Sequence, residues 1–190
     1  MHEVRHDMKK ATDIEAYAAL DFEASSFTPQ SWPIEIGLSW LKNGGVQTWT
    51  SLIRPAARWS FSDWSTQSGA VHGIVFEGLL DAPTVSAVVE DLLPLLEGKI
   101  PVSDAPEFDR RWLSRLLRAS GHAAMPKIED YHDVSFAQFS GFALDCKRCV
   151  QFSDPHDLQL NAQSRLRVCV VLLRVSVQDP HRTRFTCVSR

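Results

Sequence analysis

Cysteine is scarce in this sequence, with four in 190 residues, and Cys146 and Cys149 form a single CxxC with no second pair at zinc-ribbon spacing. That excludes a disulfide framework and leaves the CxxC pair read as reduced and incidental. Long apolar runs are also missing. Nothing approaches the roughly 20 residues needed to span a bilayer, and the polar start from Met1 to Lys10 lacks the apolar segment of a secretory signal. The expectation is a cytoplasmic protein that makes no membrane contact. Excess positive charge is the third absence. A formal net charge of -3 offers no global attraction to nucleic acid, so any such binding must rest on a local patch or on bridging metal. What remains, 44% hydrophobic and 23% charged residues, fits one globular α/β domain with a core of its own.

The stretch Ala18-Ala19-Leu20-Asp21-Phe22-Glu23-Ala24-Ser25-Ser26 organises the rest. A short apolar run reads as a buried strand, and it ends in two carboxylates at i and i+2, which a strand places on one face. Two like charges at the end of a core strand repel and are costly to desolvate, and a proton or a bound cation relieves them. Hard divalent cations take carboxylate oxygens, and Mg²⁺ is usually held by one or two of them plus substrate phosphates. The spacing therefore points to a phosphate-handling metal site at the carboxyl end of a central strand. A solvated Asp and Glu in the loop after a strand would satisfy the same spacing.

Residues 1–13 are charged and aperiodic and read as a loose tail. Pro33 to Trp40 alternates in period 2, with Ile34, Ile36, Leu38 and Trp40 on one face, and Val46 to Ile53 alternates again beyond the turn residues Lys42-Asn43-Gly44-Gly45. Strands two and three therefore form a hairpin. Arg54 to Gly73 reads as a long loop whose aromatics could stack on bases or cover the core edge, the second role being the one favoured for Trp59 and Phe61. Asp81-Ala82-Pro83-Thr84 starts a helix carrying Val85, Val88, Val89, Leu92, Leu93 and Leu96, which Pro94 is expected to kink or shorten and Gly98 to stop. A short strand at Lys99 to Ser103 precedes a helical stripe from Phe108 to Leu117. Asp109, at the start of that helix, either caps backbone amides or faces the first strand and completes a metal site. A strand near Lys127 to Tyr131 and a helical stretch from Val134 to about Leu144 follow. Ser153 to Asp157 turns into a last helix, on which His156 and Asn161 lie on adjoining faces and can reach one site.

Taken in order, these segments resemble the DEDD-type 3′-to-5′ exonucleases of the ribonuclease H-like superfamily, in the His-bearing subgroup of proofreading subunits and ribonuclease T. Asp21-Phe22-Glu23 looks like the first motif, Pro33 to Gly37 like its second strand, Val71-His72-Gly73-Ile74 like the loop before the first helix, and Phe108-Asp109 like the second motif. His156 to Ala162 is similar to the third, with Asn161 where the family has Asp.

The resemblance implies a mixed sheet of about five strands in the order 3-2-1-4-5, strand 2 antiparallel, flanked by helices over residues 14–177. It implies a 3′-to-5′ exonuclease acting on the 3′ ends of single-stranded DNA or RNA with two Mg²⁺ or Mn²⁺ ions. Asp21 would bridge them, Glu23 and Asn161 would hold the nucleophile-side ion, Asp109 the leaving-group ion, and His156 would be the general base. Ser25, Trp64 and His72 would border the terminal nucleotides, and Asp21, Glu23 and Asp109 are expected to converge within reach of shared cations. A homodimer is compatible with this expectation.

Two departures stand against the pattern. Asn161 leaves three carboxylates against two dications, which weakens metal binding and opens the alternative of a weak or inactive relative that binds nucleic acid or a protein partner. The stretch Val168 to Val177 is more β-branched than a family helix, and residues 178–190 form a basic tail. No residue can be assigned to a 2′-hydroxyl, so DNA and RNA both stay open.

Overall fold

The structure is a computed structural model that describes residues 14–134 apart from residue 44. The N-terminal tail, the CxxC pair, the third motif with His156 and Asn161, all but the first residue of the helical stretch expected from Val134, and the C-terminal stretch lie outside the described residues.

Five strands form one sheet: β1 (Tyr17–Ala24), β2 (Pro33–Lys42), β3 (Gly45–Leu52), β4 (Ile100–Ser103) and β5 (Glu129–Asp130). Their order is β3-β2-β1-β4-β5, as the resemblance implied. β2 runs antiparallel to both β1 and β3, while β4 and β5 run parallel to β1. β1 is central, which is why nearly every residue in it is buried and why its sequence is an apolar run rather than an alternation. The β2–β3 turn is tight enough to hold Asn43 at φ 52°, a left-handed conformation that Asn tolerates. Across that hairpin the Ser39 and Thr48 hydroxyls share a hydrogen bond of 2.8 Å.

Four helices lie wholly within the described residues, α1 (Thr66–His72), α2 (Phe76–Leu79), α3 (Val85–Leu96) and α4 (Pro106–Ala119), and residues 131–134 at the end of the described chain are helical too. Among the described residues, no helix is long and apolar enough to cross a membrane. In α3, Thr84 caps the first turn by accepting the Ala87 N–H, and Val85, Val88, Val89, Leu92 and Leu96 are buried. Pro94 does not cut this helix short, which continues to Leu96 before Gly98 turns the chain at φ 69°. α4 opens with Pro106, whose fixed φ suits a first helical position, and buries Trp112, Leu113, Leu116 and Leu117. These two faces meet Ala18, Leu20, Phe22, Ile36 and Leu38 from the sheet in the main core.

The connection from Arg54 to Gly73 is not the loop its composition suggested. It contains a 3-10 turn, Phe61–Asp63, and then α1. The Ser65 hydroxyl accepts the Ser68 N–H to start α1, and Gly73 ends it at φ 71°. Among its residues only Ser68 is buried, so α1 has no apolar stripe to read. Trp59 does cover the core edge, stacking on the buried Trp32 at 5.8 Å. Phe61 does not: it is 61% exposed and meets Phe76 edge-on at the rim.

Candidate active site

The carboxyl end of β1, the first turn of α4 and the helix α1 enclose a pocket of about 240 Å³. Asp21 and Glu23 enter it from alternate positions of β1, Asp104 and Asp109 from the β4–α4 junction and α4, and Ser68 and His72 from α1. Among the described residues, no Lys or Arg lines it. Three acidic side chains of the first two motifs thus share one hollow, and its protein charge is acidic without a Lys or Arg in the described lining.

Asp109 is deeply buried and does not cap its own helix, whose start has no side-chain cap. The Ser103 hydroxyl donates to its Oδ2, and the same Ser103 oxygen accepts the Ala105 N–H at 3.0 Å. The Phe22 backbone N–H also donates to the Asp109 carboxyl, fastening α4 to β1. Burial nevertheless pushes Asp109 up to about 7, against the Ser103 and Phe22 hydrogen bonds and aided by repulsion from Asp104 and Glu23. A second acid stands behind the first motif. Glu35 pairs directly with Glu23 across the β1–β2 ladder, and burial together with the Glu23 charge raises it to about 7. Near neutral pH these two carboxyls share the role of keeping protons where charge would otherwise accumulate.

His72 is a neutral donor in this arrangement. Its Nδ1 accepts the Ile74 N–H at 3.0 Å, burial lowers its pKa, and its Nε2 is buried without a hydrogen-bond partner. With Nδ1 accepting, the proton belongs on Nε2.

Two expected substrate contacts are elsewhere. Ser25 is fully buried and does not line the pocket; its hydroxyl accepts the Trp32 N–H at 3.0 Å and its backbone ties the same residue, so it closes the β1–β2 loop. The adjacent Ser26 lines the pocket instead. Trp64 packs at 5.9 Å from Trp32 and 5.5 Å from Phe76, held by the aromatic cluster under α1 rather than offered to the cleft. It touches the pocket only through the His72 ring, 6.0 Å away. Beside the buried Phe22 and Trp112, Phe27 and Phe108 are the exposed aromatics that line the pocket: they are 72% and 38% exposed and meet edge-on at 6.2 Å. The sequence signal for Phe108 was its place directly before Asp109; Phe27 and Ser68 had none.

The donor set suits a hard cation, because it offers carboxylate oxygens without a competing basic side chain. Among the described residues, however, no three His, Cys, Asp or Glu side chains stand together in an arrangement that holds a metal ion. The expected convergence on a shared cation is therefore met at the level of one pocket and not at the level of a formed ligand shell. Asp109 explains part of this, since its oxygens are taken by Ser103 and the Phe22 amide. One or two carboxylates suffice where substrate phosphate and water complete the shell of Mg²⁺, and Asp21 with Glu23 supply that number.

No protein-family model matches the sequence, and no curated protein matches it. Solved structures do match in fold. A full-length 3′-exonuclease superposes with a TM-score of 0.65 at 15% identity, over 88% of this chain and 84% of that one. A 3′-exonuclease described in 3′-end-specific recognition of a histone mRNA stem-loop gives 0.64 at 13% identity with the same coverage. Exonuclease I of E. coli, in complex with a dA16 oligonucleotide, gives 0.52 at 13% identity over 67% of this chain and 30% of that one. The chain thus has the ribonuclease H-like α/β fold of the 3′-exonucleases. Its carboxylate pocket lies at the carboxyl end of the central strand of that fold.

Proposed function

We propose that the chain is a divalent-metal-dependent 3′-to-5′ exonuclease that hydrolyses phosphodiester bonds at the 3′ ends of single-stranded DNA or RNA. The observation that carries this reading is the pocket in which Asp21, Glu23 and Asp109 meet with no Lys or Arg in the described lining, on a fold shared with 3′-exonucleases. Asp21 would bridge two Mg²⁺ or Mn²⁺ ions, Glu23 and the neutral carbonyl oxygen of Asn161 would hold the nucleophile-side ion, and Asp109 would hold the leaving-group ion. Bound there, such ions stabilise the attacking and leaving oxygens of an in-line displacement at phosphorus. His156 takes the proton of the attacking water, a task suited to an imidazole near neutral pH. The neutral His72 borders the terminal nucleotide from the pocket wall, and Phe27 and Phe108 offer faces on which unpaired bases stack.

The test uses 5′-labelled single strands with Mg²⁺ or Mn²⁺. Stepwise shortening from the 3′ end that requires the ion and is lost in Asp21→Ala supports the reading. No shortening by the folded protein, or shortening that survives Asp21→Ala, contradicts it. Asn161 favours a second reading, a weak or inactive relative that keeps the groove and binds nucleic acid, for which the same strands bind but stay intact.

A further inference from the structure

A second hollow, larger than the carboxylate pocket, lies beside it. It is a basin of about 540 Å³, lined by Arg58 and Trp59 from the β3–α1 connection and by Arg111, Arg115 and Arg118 from α4, with Asp63 as the one carboxylate among the described residues. Four guanidinium groups against one acid make a cationic site in a chain whose net charge is -3. The three α4 arginines repeat at i, i+4 and i+7, which sets them in a stripe on one helix face. Helical geometry places that stripe next to Phe108 and Trp112, on the side away from the core.

Their charges are largely uncompensated. Among the described residues, none of Arg58, Arg111 and Arg118 makes an ion pair with a carboxylate. Arg111 lies 5.1 Å over the Phe108 ring and 5.4 Å over the Trp112 ring, and its Nε and Nη2 are buried without an acceptor. Arg115 is fixed by donating to the Gln30 and Ser31 carbonyls. A preorganised arginine cluster beside an aromatic wall suits phosphate oxygens, which accept from guanidinium in a two-pronged geometry.

We infer that this basin holds the phosphodiester backbone of a single strand upstream of the nucleotide in the carboxylate pocket. The inference rests on the function proposed above and adds a second subsite to it. From Asp109 to Arg111 and Arg118, α4 rises about 3 to 14 Å, a span of roughly one to four nucleotides at the 3.4 Å per nucleotide of a duplex strand. The Phe108–Trp112 ring pair lines the pocket and carries Arg111 on the basin side, so the two sites adjoin.

The test measures binding of labelled 3-mers and 12-mers, dT and rU, in EDTA, across a salt series. Arg58 and Arg118 are both exposed, so Arg58→Ala/Arg118→Ala keeps the fold, which an unchanged melting temperature verifies. The wild-type protein binds the 12-mer more tightly than the 3-mer. In the double variant that advantage shrinks, and the slope of log affinity against log salt falls by about 1.4, at roughly 0.7 for each single-strand phosphate contact. An unchanged slope, or no 12-mer binding by the wild type, overturns the basin assignment. Equal affinity for both lengths with displacement by ATP also overturns it, in favour of a mononucleotide site. A parallel hydrolysis assay with Mg²⁺ separates the two claims. Hydrolysis with an unchanged salt slope removes the basin alone, whereas a changed slope without hydrolysis removes the exonuclease and leaves the basin standing.

Discussion

The pocket around Asp21, Glu23 and Asp109 and the basin around Arg58, Arg111 and Arg118 adjoin the same ring pair, Phe108 and Trp112, yet they are built in opposite ways. The pocket is small and sunk into the sheet end, and of its acids Glu23 and Asp109 are buried, Asp109 to the point that it is pushed up to about 7. The basin is wider and sits on the outer face of α4, where Arg58 and Arg118 are exposed. Burial makes the difference. A buried carboxylate cluster is strained until a proton or a cation enters, so it discriminates between states of occupancy. Exposed guanidinium groups keep their hydration and their charge at all times, so they attract the phosphates of any strand alike.

The contrast breaks most visibly at Asp21. Asp21→Ala is expected to lower metal-dependent hydrolysis by at least about 10²-fold, since a misplaced ion or nucleophile costs that much even for small displacements. Quantifying released nucleotides against the wild-type rate checks it, together with circular dichroism to show that the fold persists.

Asp109 sharpens the contrast through pH. A carboxyl whose folded pKa is about 7, above its ordinary value of 3.8, binds its proton more tightly in the folded chain. Its contribution to stability is therefore full below about pH 4 and is lost as pH rises through 7. Metal-free wild-type protein is expected to lose a few kcal/mol over that window, with Glu35 contributing in the same direction. Asp109→Asn removes part of the loss, so it stabilises the protein at pH 8 and not at pH 4. Urea unfolding at the two pH values measures both, and a variant that is less stable at pH 8 contradicts the account. The same substitution lowers hydrolysis, the usual opposition of stability and activity at a strained site.

A smaller effect is expected at Asn161. Restoring a carboxylate with Asn161→Asp lowers the Mg²⁺ concentration for half-maximal rate by on the order of tenfold, or about 1.4 kcal/mol. A Mg²⁺ titration of the rate reads it directly, and His156→Ala in that background abolishes the gain.

The smallest pair separates surface from core among the aromatics. Phe27→Ala is expected to weaken single-strand binding by about 1 kcal/mol, the lower end of what one stacked base contributes, with stability within about 0.5 kcal/mol of wild type. Trp64→Ala does the reverse, lowering stability through the Trp32 cluster while changing affinity less. Anisotropy and thermal unfolding on both variants suffice to tell them apart.

These aromatics also mark where the sequence stopped being legible. Period-2 alternation at Ile34, Ile36, Leu38 and Trp40, and helical spacing from Val85 to Leu96, report burial directly, so the sheet, its hairpin, α3 and α4 could be read from residue order. α1 could not, because it buries a serine rather than an apolar stripe, and only Ser65 and Gly73 marked its ends. Trp64 lay in the right segment for a cleft residue, but a tryptophan as buried as Trp32 needs neighbours, and Trp64 is one of them. Asp21 and Glu23 shared a face by strand geometry alone. Glu35 opposite Glu23 depended on the β1–β2 register, which no local pattern encodes. Ser103, the partner that occupies Asp109, was visible only once α4 had folded back on β4.

The central claim is that the carboxylate pocket takes a divalent cation, and a Mn²⁺ titration of thermal stability at pH 8 tests it most directly. Ligand that binds the folded chain alone stabilises it by about 2.7 kcal/mol at 100 times its dissociation constant, which for a chain of this size corresponds to a rise of roughly 5 to 10 °C. The wild-type protein is expected to show a saturable rise in melting temperature, and Asp21→Asn to lose most of it. No rise in the wild type, or an equal rise in Asp21→Asn, would contradict the account.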